Sequence, residues 1–459
     1  MWGRCFAPTY GRGALLGLEE KIADRTARIG VIGLGYVGLP LAVELARLGY
    51  HVTGIDVDAG KVACLGRGES YIQDVASTDV ATLTAAGRLQ ATGDYDAITA
   101  LDIVFICVPT PATAEKAPDV SFIRTAAQGI APRLQRGQLV VLQSTTYPGT
   151  TEELVLPILE QAGLRAGVDF HLAFSPERVD PGNRRFTVRN TPKVVGGVTP
   201  ACAAAAQQLL QQLTPQVQVV SSPRAAEMTK LLENIFRSVN IALVNELALL
   251  CERMDIDIWE VIAAAASKPF GFMPFTPGPG VGGHCIPIDP YYLSWKAREY
   301  DFYTKFIELA AEVNQSMPYH VVQLVGEALN EQGKILHGAS VLVLGVAFKR
   351  NVDDPRNSPA QRVIELLLER GAQVAYNDPY VPRFSVGHNA LYRPAATFAS
   401  VPLDDARLAA SDCVLIVAGH SAYDYARIVA QAPLVVDTVN ATQGLVAAPG
   451  KVVRLGAPR

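Results

Sequence analysis

The sequence predicts an α/β chain: two α/β domains joined by a central helical region. Short apolar runs alternate with helical stretches over roughly the first two hundred residues, which is the mark of a parallel sheet wrapped by helices. A long helical stretch with no internal breaker follows, and the alternation resumes from Ser340. The 459 residues are enough for two to four domains at roughly 150 residues each. A composition that is 49% hydrophobic and 18% charged suffices to give each a sizeable core.

Taken in order, Arg28–Ile32 reads as a strand, and Gly33, Gly35 and Gly38 form a tight turn behind it. A helix is expected from about Val37 to Leu48, with Gly49 as its stop, before a second strand that ends at Asp56. Further buried strands are expected at 102–108 and 138–143. This first domain is set at 28–205, behind an N-terminal extension, 1–27, whose apolar patch ALLGL is too short for a signal-peptide core. The central region, 206–330, opens with one helical run from Pro223 to the alanines at 263–266. It continues through a Gly/Pro-rich loop around Cys285 and ends in helix to about Glu331. The last domain, 331–459, starts with a strand leading to Gly345. Its helix has Ser358 as N-cap, Pro359 at the first position and Gly371 as stop, and QVAYNDP, SDCVLIVA and PLVVD supply further strands. The two α/β regions are alike in pattern without a detectable repeat in sequence.

Several function classes are excluded. The formal net charge is −4 with no dense Lys/Arg block, which argues against nucleic acid as a partner. No apolar run approaches the roughly 18 residues of a membrane span, and a cytoplasmic protein is expected. The seven cysteines (5, 64, 107, 202, 251, 285 and 413) show no CxxC spacing, so neither a zinc cluster nor a disulfide framework is indicated.

The motif Gly33-Leu34-Gly35-Tyr36-Val37-Gly38 carries the first chemistry. Its glycines permit a tight turn, close approach of backbone to a pyrophosphate, and close helix–strand packing, which is the Rossmann-like pattern. The helix N-terminus supplies unpaired N–H groups for the anion. Asp56, at the end of the next strand, would accept from ribose hydroxyls and repel a 2′-phosphate, which favours NAD over NADP. Lys230 and Asn234 stand i, i+4 on one helix face, as a solvated Lys beside an incidental Asn or as a pair of oxyanion donors. Glu177, in SPERVDPGN, reads as a surface ion pair or as a general base for water. Thr145, in QSTTYPGTT, reads as a turn residue or as a hydroxyl near the nicotinamide and a water.

Cys285 lies in FTPGPGVGGHCIPIDPYYL, with Asp289 four residues on. A Cys hydrolase needs a His as base, but adjacent side chains such as His284 and Cys285 diverge in an extended loop. A zinc site from His284, Cys285 and Asp289 lacks a second ligand cluster, and no metal is expected. A thiol in an NAD protein permits another route. It adds to an aldehyde, and oxidation of the thiohemiacetal leaves a thioester for water to cleave, so one site oxidises an alcohol to an acid.

These residues fall in blocks that resemble the UDP-glucose/GDP-mannose dehydrogenase family from about Arg28 to about Thr442: GVIGLGYVGLPLA, VPTP, STTYPGTT, SPERVDPGN, EMTKLLENIFRSVNIALVNE, GPGVGGHCIPIDPYYL and GVAFKRNVDDPRNSPA. SPERVDPGN with GGHCIPIDPYYLSWKARE is most similar to the bacterial UDP-N-acetylglucosamine 6-dehydrogenases, which serve surface polysaccharide synthesis. The resemblance implies NAD as cofactor, a UDP-sugar as substrate and a homodimer or dimer-based oligomer. It also implies a helical dimerisation centre, a C-terminal UDP-binding domain and an active site in the cleft between the domains. It casts Cys285 as nucleophile, Lys230 and Asn234 as oxyanion donors, and Asp289 as the carboxylate that with Lys230 holds a water near the 6-hydroxyl. Glu177 and Thr145 are assigned to thioester hydrolysis.

On the cofactor side the resemblance implies the Gly33–Gly38 turn, Asp56, Lys61, Pro109, Thr110, Thr145 and Arg356. For the sugar nucleotide it implies Glu177, Arg178, Lys230, Asn234, Lys349 and the loop from Phe275 through Gly278 and Gly282 to Gly283. Two positions depart from the family: Pro181 stands where some members carry a second glutamate, and Val439 where members often carry arginine. UDP-N-acetylmannosamine and UDP-glucose are alternative substrates. A two-electron hydroxy-acid dehydrogenase would need no Cys285, and a catalytically silent nucleotide-binding protein would need none of the four residues Cys285, Lys230, Asn234 and Asp289.

Overall fold

The structure is a computed structural model that describes residues 16–113, 116–179, 185–283 and 285–458. Cys5, most of the N-terminal extension, Pro181 and His284 lie outside them. The chain divides into two compact units, one reaching to Glu233 together with Arg298–Tyr300, the other holding Asn234–Ala297 and Asp301 onward.

The first unit is built on an eight-stranded sheet. Its strands are β1 (Arg28–Ile32), β2 (His51–Ile55), β3 (Leu89–Thr92), β4 (Ile103–Ile106), β5 (Leu139–Leu142), β6 (His171–Phe174), β7 (Lys193–Gly197) and β8 (Val217–Val219). The order is β3-β2-β1-β4-β5-β6-β7-β8, parallel except at β6–β7. The inner strands β4 and β5 are buried at every position, which is why they read as unbroken apolar runs rather than alternating ones. The helix Gly38–Arg47 ends on Gly49, whose φ of +102° suits the stop expected there. The sheet runs past residue 205, through the helix Pro200–Leu213 to β8.

The second unit holds a five-stranded parallel sheet of β9 (Ser340–Leu344), β10 (Gln373–Asn377), β13 (Cys413–Ile416), β14 (Val435–Asp437) and β15 (Val452–Arg454), in the order β10-β9-β13-β14-β15. A separate antiparallel hairpin, β11 (Arg383–Val386) with β12 (Ala396–Ala399), branches off after β10. Ser358 accepts from the Ala360 N–H as N-cap and Pro359 opens the helix Pro359–Glu369, as expected.

The long helical run divides, contrary to expectation. Helix Pro223–Arg253 stops before a break, and Ile258–Ala266 starts anew. Asp255 takes the left-handed conformation (φ +59°), and the Asp257 carboxylate caps the Trp259 N–H, so two aspartates do the work of a glycine. By length and composition Pro223–Arg253 is apolar enough to cross a membrane. Its apolar residues are interrupted by Asn234, Arg237, Asn240, Asn245 and Glu246.

Candidate active site

In the first unit the glycine turn has the geometry its motif requires. Gly33 has φ +90°, and a Cβ on Gly38 would fall 1.8 Å from the Gly33 carbonyl oxygen. At Gly35 a Cβ would meet nothing within 4 Å, which leaves room for a ligand to approach the backbone. Tyr36 and Val37 stand half-buried at the head of the helix that opens at Gly38. Asp56 receives the Leu34 N–H on Oδ2 (2.8 Å) and the Asp58 N–H on Oδ1 (2.9 Å), so its carboxylate is fixed at the mouth of the turn. The Lys61 ammonium reaches the same carboxylate at 3.2 Å from a side chain one-third exposed. This donor set fits NAD: N–H groups and a helix N-terminus for the pyrophosphate, and a carboxylate for ribose hydroxyls. Thr110 Oγ donates to the Thr145 carbonyl (2.8 Å), joining the VPTP and STTYPGTT segments; Pro109 is exposed.

Glu177 is held by four hydrogen-bond donors. Oε1 accepts from the Arg178 (2.8 Å) and Val179 (2.9 Å) N–H groups. Oε2 accepts from Gln143 (2.9 Å) and from Lys193 Nζ (2.8 Å). Burial pushes its carboxyl up, but the Lys193 ammonium and the backbone donors outweigh it, and the net shift is downward. That environment suits a carboxylate that stays ionised better than one that cycles protons. Arg178 pairs with Glu233 (2.6 Å), tying the loop to the helix that carries Lys230, which is buried. One turn before Lys230, Glu227 accepts from the N–H groups of Gly149 (2.5 Å) and Thr151 (2.9 Å), fixing the backbone just past Thr145.

The second unit assembles the thiol loop. The Cys285 carbonyl accepts from the N–H groups of Ile288 (3.1 Å) and Asp289 (2.8 Å), so the half-buried cysteine sits in the turn opening the helix Asp289–Ala297. Asn234 donates to Asp289 at 2.6 Å, and Arg237 donates to the Asn234 amide oxygen. Asn245, buried on the same helix, accepts the Gly278 N–H (3.0 Å) and donates to Asn314 (2.9 Å), while Phe236 meets the Phe275 ring edge-on at 5.7 Å. Gly282 and Gly283 lie against Phe348: a Cβ on either would come within 3.0 Å of that side chain. Asn357 donates to the Gly283 carbonyl (3.1 Å), and the Arg356 carbonyl accepts the Gly283 N–H (3.2 Å). The Arg356 guanidinium itself is paired with Asp354 (2.6 Å). Val439 packs near Gly419 where an arginine was the family expectation.

The structure thus groups Asn234 with Asp289, and Gly278, Gly282, Phe275 and Arg356 with the thiol loop, all within one unit. The glycine turn, Asp56, Lys61, Thr110, Thr145, Glu177 and Lys230 belong to the other. Sequence reasoning missed Lys193, Gln143, Glu227, Asn245 and Asn314. A lysine opening an otherwise apolar strand was the available signal for Lys193, and polar residues recurring along an apolar helix were the signal for Glu227 and Asn245. Among the described residues no three His, Cys, Asp or Glu side chains converge to hold a metal.

Three models of the UDP-glucose/GDP-mannose dehydrogenase family match: the NAD binding domain at residues 27–214, the central domain at 224–316 and the UDP binding domain at 342–444. A UDP-N-acetyl-D-glucosamine 6-dehydrogenase of Pseudomonas aeruginosa is 38% identical, over 81% of this chain and 87% of its own. A UDP-N-acetyl-D-mannosamine dehydrogenase of Escherichia coli K12 is 36% identical, over 86% of this chain and 94% of its own. The solved structure of a UDP-D-ManNAc dehydrogenase from Pyrococcus horikoshii superposes with a TM-score of 0.84 at 31% identity, covering 94% of this chain and 99% of that one.

Proposed function

The chain belongs to the UDP-glucose/GDP-mannose dehydrogenase family and is an NAD-dependent oxidoreductase, and from that premise we propose that it oxidises the 6-hydroxyl of UDP-N-acetylglucosamine to the uronic acid in two steps. The observation that carries this reading is the thiol loop: Cys285 stands in the turn whose carbonyl accepts the Asp289 N–H, Asn234 donates to the Asp289 carboxylate, and at Gly278 of the same loop a Cβ would meet nothing within 4 Å. NAD supplies the hydride acceptor for both oxidations. Asp289, oriented by Asn234, assists removal of the hydroxyl proton in the first. Cys285 Sγ adds to the resulting aldehyde, and Lys230 with Asn234 stabilises the oxyanion of the thiohemiacetal. Loss of a second hydride leaves a thioester on Cys285. Water adds to it, and expulsion of the thiolate releases the acid. Glu177, kept anionic by Lys193, orients that water, with the Thr145 hydroxyl as a second contact. The balance is one alcohol, two NAD and one water to one carboxylate, two NADH and three protons.

Lys349 and the Phe275–Gly283 backbone are assigned to the sugar nucleotide, and the product to surface polysaccharide synthesis in the cytoplasm. A homodimer is proposed on the stripe of Met228, Leu232, Phe236, Leu243, Leu247 and Leu250, which the helix Pro223–Arg253 leaves exposed. UDP-N-acetylmannosamine is the second reading, favoured by relatives of that name at 36–37% identity. A panel of UDP-sugars with NADH readout separates the two: the highest kcat/KM is expected for UDP-N-acetylglucosamine, and a higher value for the mannosamine epimer would transfer the assignment.

A further inference from the structure

The strand order β10-β9-β13 reverses direction of growth between β9 and β13, and in open parallel sheets ligands bind beyond the carboxyl ends of the strands at such a point. Two segments leave the sheet there, Gly345–Asn351 after β9 and Val417–Ser421 after β13. They touch at their roots, since a Cβ on Gly345 would fall 2.5 Å from the Ala418 carbonyl oxygen. The first segment carries Phe348, which packs on Gly282 and Gly283, and Lys349.

Both ends of that segment are held by one buried pair. Asp378, just past β10, accepts the Val346 (2.7 Å) and Ala347 (3.1 Å) N–H groups on Oδ2, and those of Tyr380 (2.8 Å) and Val381 (3.1 Å) on Oδ1. His420, with 0% exposure, places Nε2 3.1 Å from the same Oδ2. Its Nδ1 accepts the Asn351 N–H at 2.9 Å, which puts the ring proton on Nε2 and makes His420 a donor to Asp378. Asn351 adopts φ +61° and is clasped from outside: its Oδ1 accepts the Ser421 N–H (2.8 Å), and its amide donates to Ser421 Oγ (2.8 Å). No apolar side chain of imidazole size would satisfy both the Asn351 N–H and the fifth contact of the Asp378 carboxylate.

We propose that His420 is a positioning residue for substrate binding, acting through Asp378 and Asn351 to fix the Phe348–Lys349 segment against the nucleotide sugar. The proposal rests on the reading that this segment contacts a UDP-sugar. Being wholly buried, His420 touches no substrate. Its loss should therefore appear in the KM of one substrate and not the other.

The test is His420→Gln, which keeps a donor toward Asp378 but not the ring nitrogen that accepts from Asn351. The KM for the UDP-sugar is expected to rise about tenfold, with the KM for NAD unchanged within about twofold. A folded variant with both KM values at the wild-type level overturns the proposal, as does an equal rise in both. Should His420→Gln not fold, His420→Asn decides. Its amide can still accept the Asn351 N–H but no longer reaches Asp378 as a donor, and it is expected to raise the UDP-sugar KM about threefold; an unchanged KM overturns the proposal. Wild-type protein that oxidises no UDP-sugar sinks the functional reading instead. The calorimetric Kd for UDP on the same variants then judges the clamp: about tenfold weaker binding by His420→Gln supports it, and an unchanged Kd refutes it.

Discussion

Both sheets leave their first strand through a glycine of positive φ, Gly33 at +90° and Gly345 at +82°, and both then anchor the next N–H on an aspartate past the neighbouring strand. Leu34 N donates to Asp56 at 2.8 Å, and Val346 N to Asp378 at 2.7 Å. The turns diverge in the group that closes the carboxylate. Asp56 is met by Lys61, a flexible side chain one-third exposed, whereas Asp378 is met by His420, which is wholly buried. They diverge also in the distance to the next helix. One opens at Gly38 directly behind the first turn, but only at Pro359 behind the second, leaving a long connection that holds Phe348, Lys349 and Arg356. The same strand–turn–acid device thus serves two ends. With a movable surface cation the acid is available to a ligand's hydroxyls; with a buried imidazole it is committed to holding backbone.

Gly38→Ala should break the first turn outright, because the added Cβ meets backbone oxygen at 1.8 Å and no side chain can yield. NAD affinity measured by calorimetry is expected to fall on the order of a hundredfold or more. Asp56→Ala should raise the KM for NAD by roughly thirtyfold, through lost ribose contacts and an unpaired Leu34 N–H, while leaving the UDP-sugar KM alone. A rise in the UDP-sugar KM instead would erase the distinction between the turns.

The pair Lys193–Glu177 extends the comparison to a lysine that closes on an acid while buried, its side chain only 1% exposed. Glu177 has a lowered pKa, so its contribution to stability is present above the unfolded carboxylate range and is lost as pH falls through the folded value. Lys193→Met removes the charge that holds it down. The acid limb of the pH–rate profile should move to higher pH, with activity near pH 5.5 falling roughly tenfold relative to wild type. An unmoved limb would show that Lys193 does not govern Glu177. The smallest effect is expected for Lys61→Ala. The pair is long at 3.2 Å, its lysine is flexible and one-third exposed, and the Asp56 carboxylate keeps its two backbone N–H donors, so the NAD KM should rise only about twofold and thermal stability should not change measurably.

Much of this was legible in the chain because it is local. Buried strands such as Ile103–Ile106 announce themselves as apolar runs, the Gly33–Gly38 turn by its glycine spacing, and the Ser358 cap by the adjoining Pro359. The features that escaped depend on partners distant in sequence. Lys193 lies on the strand after Glu177's loop, and His420 is separated from Asp378 by the hairpin and another strand. The helix break at Asp255 also went unread, since a left-handed aspartate leaves no glycine or proline as a signal. The thiol loop lies between these cases. Its glycines and Cys285 were visible, but not the buried Asn245 and Asn314 that hold Gly278, whose amides meet only when two helices pack.

The central claim is that one thiol-bearing site carries an alcohol to an acid, and the most direct measurement is the stoichiometry of the complete reaction. Limiting UDP-N-acetylglucosamine with excess NAD should yield two NADH for each uronic acid formed, and Cys285→Ala should yield no acid. One NADH per sugar consumed, or acid formation that survives the loss of Cys285, would contradict the account.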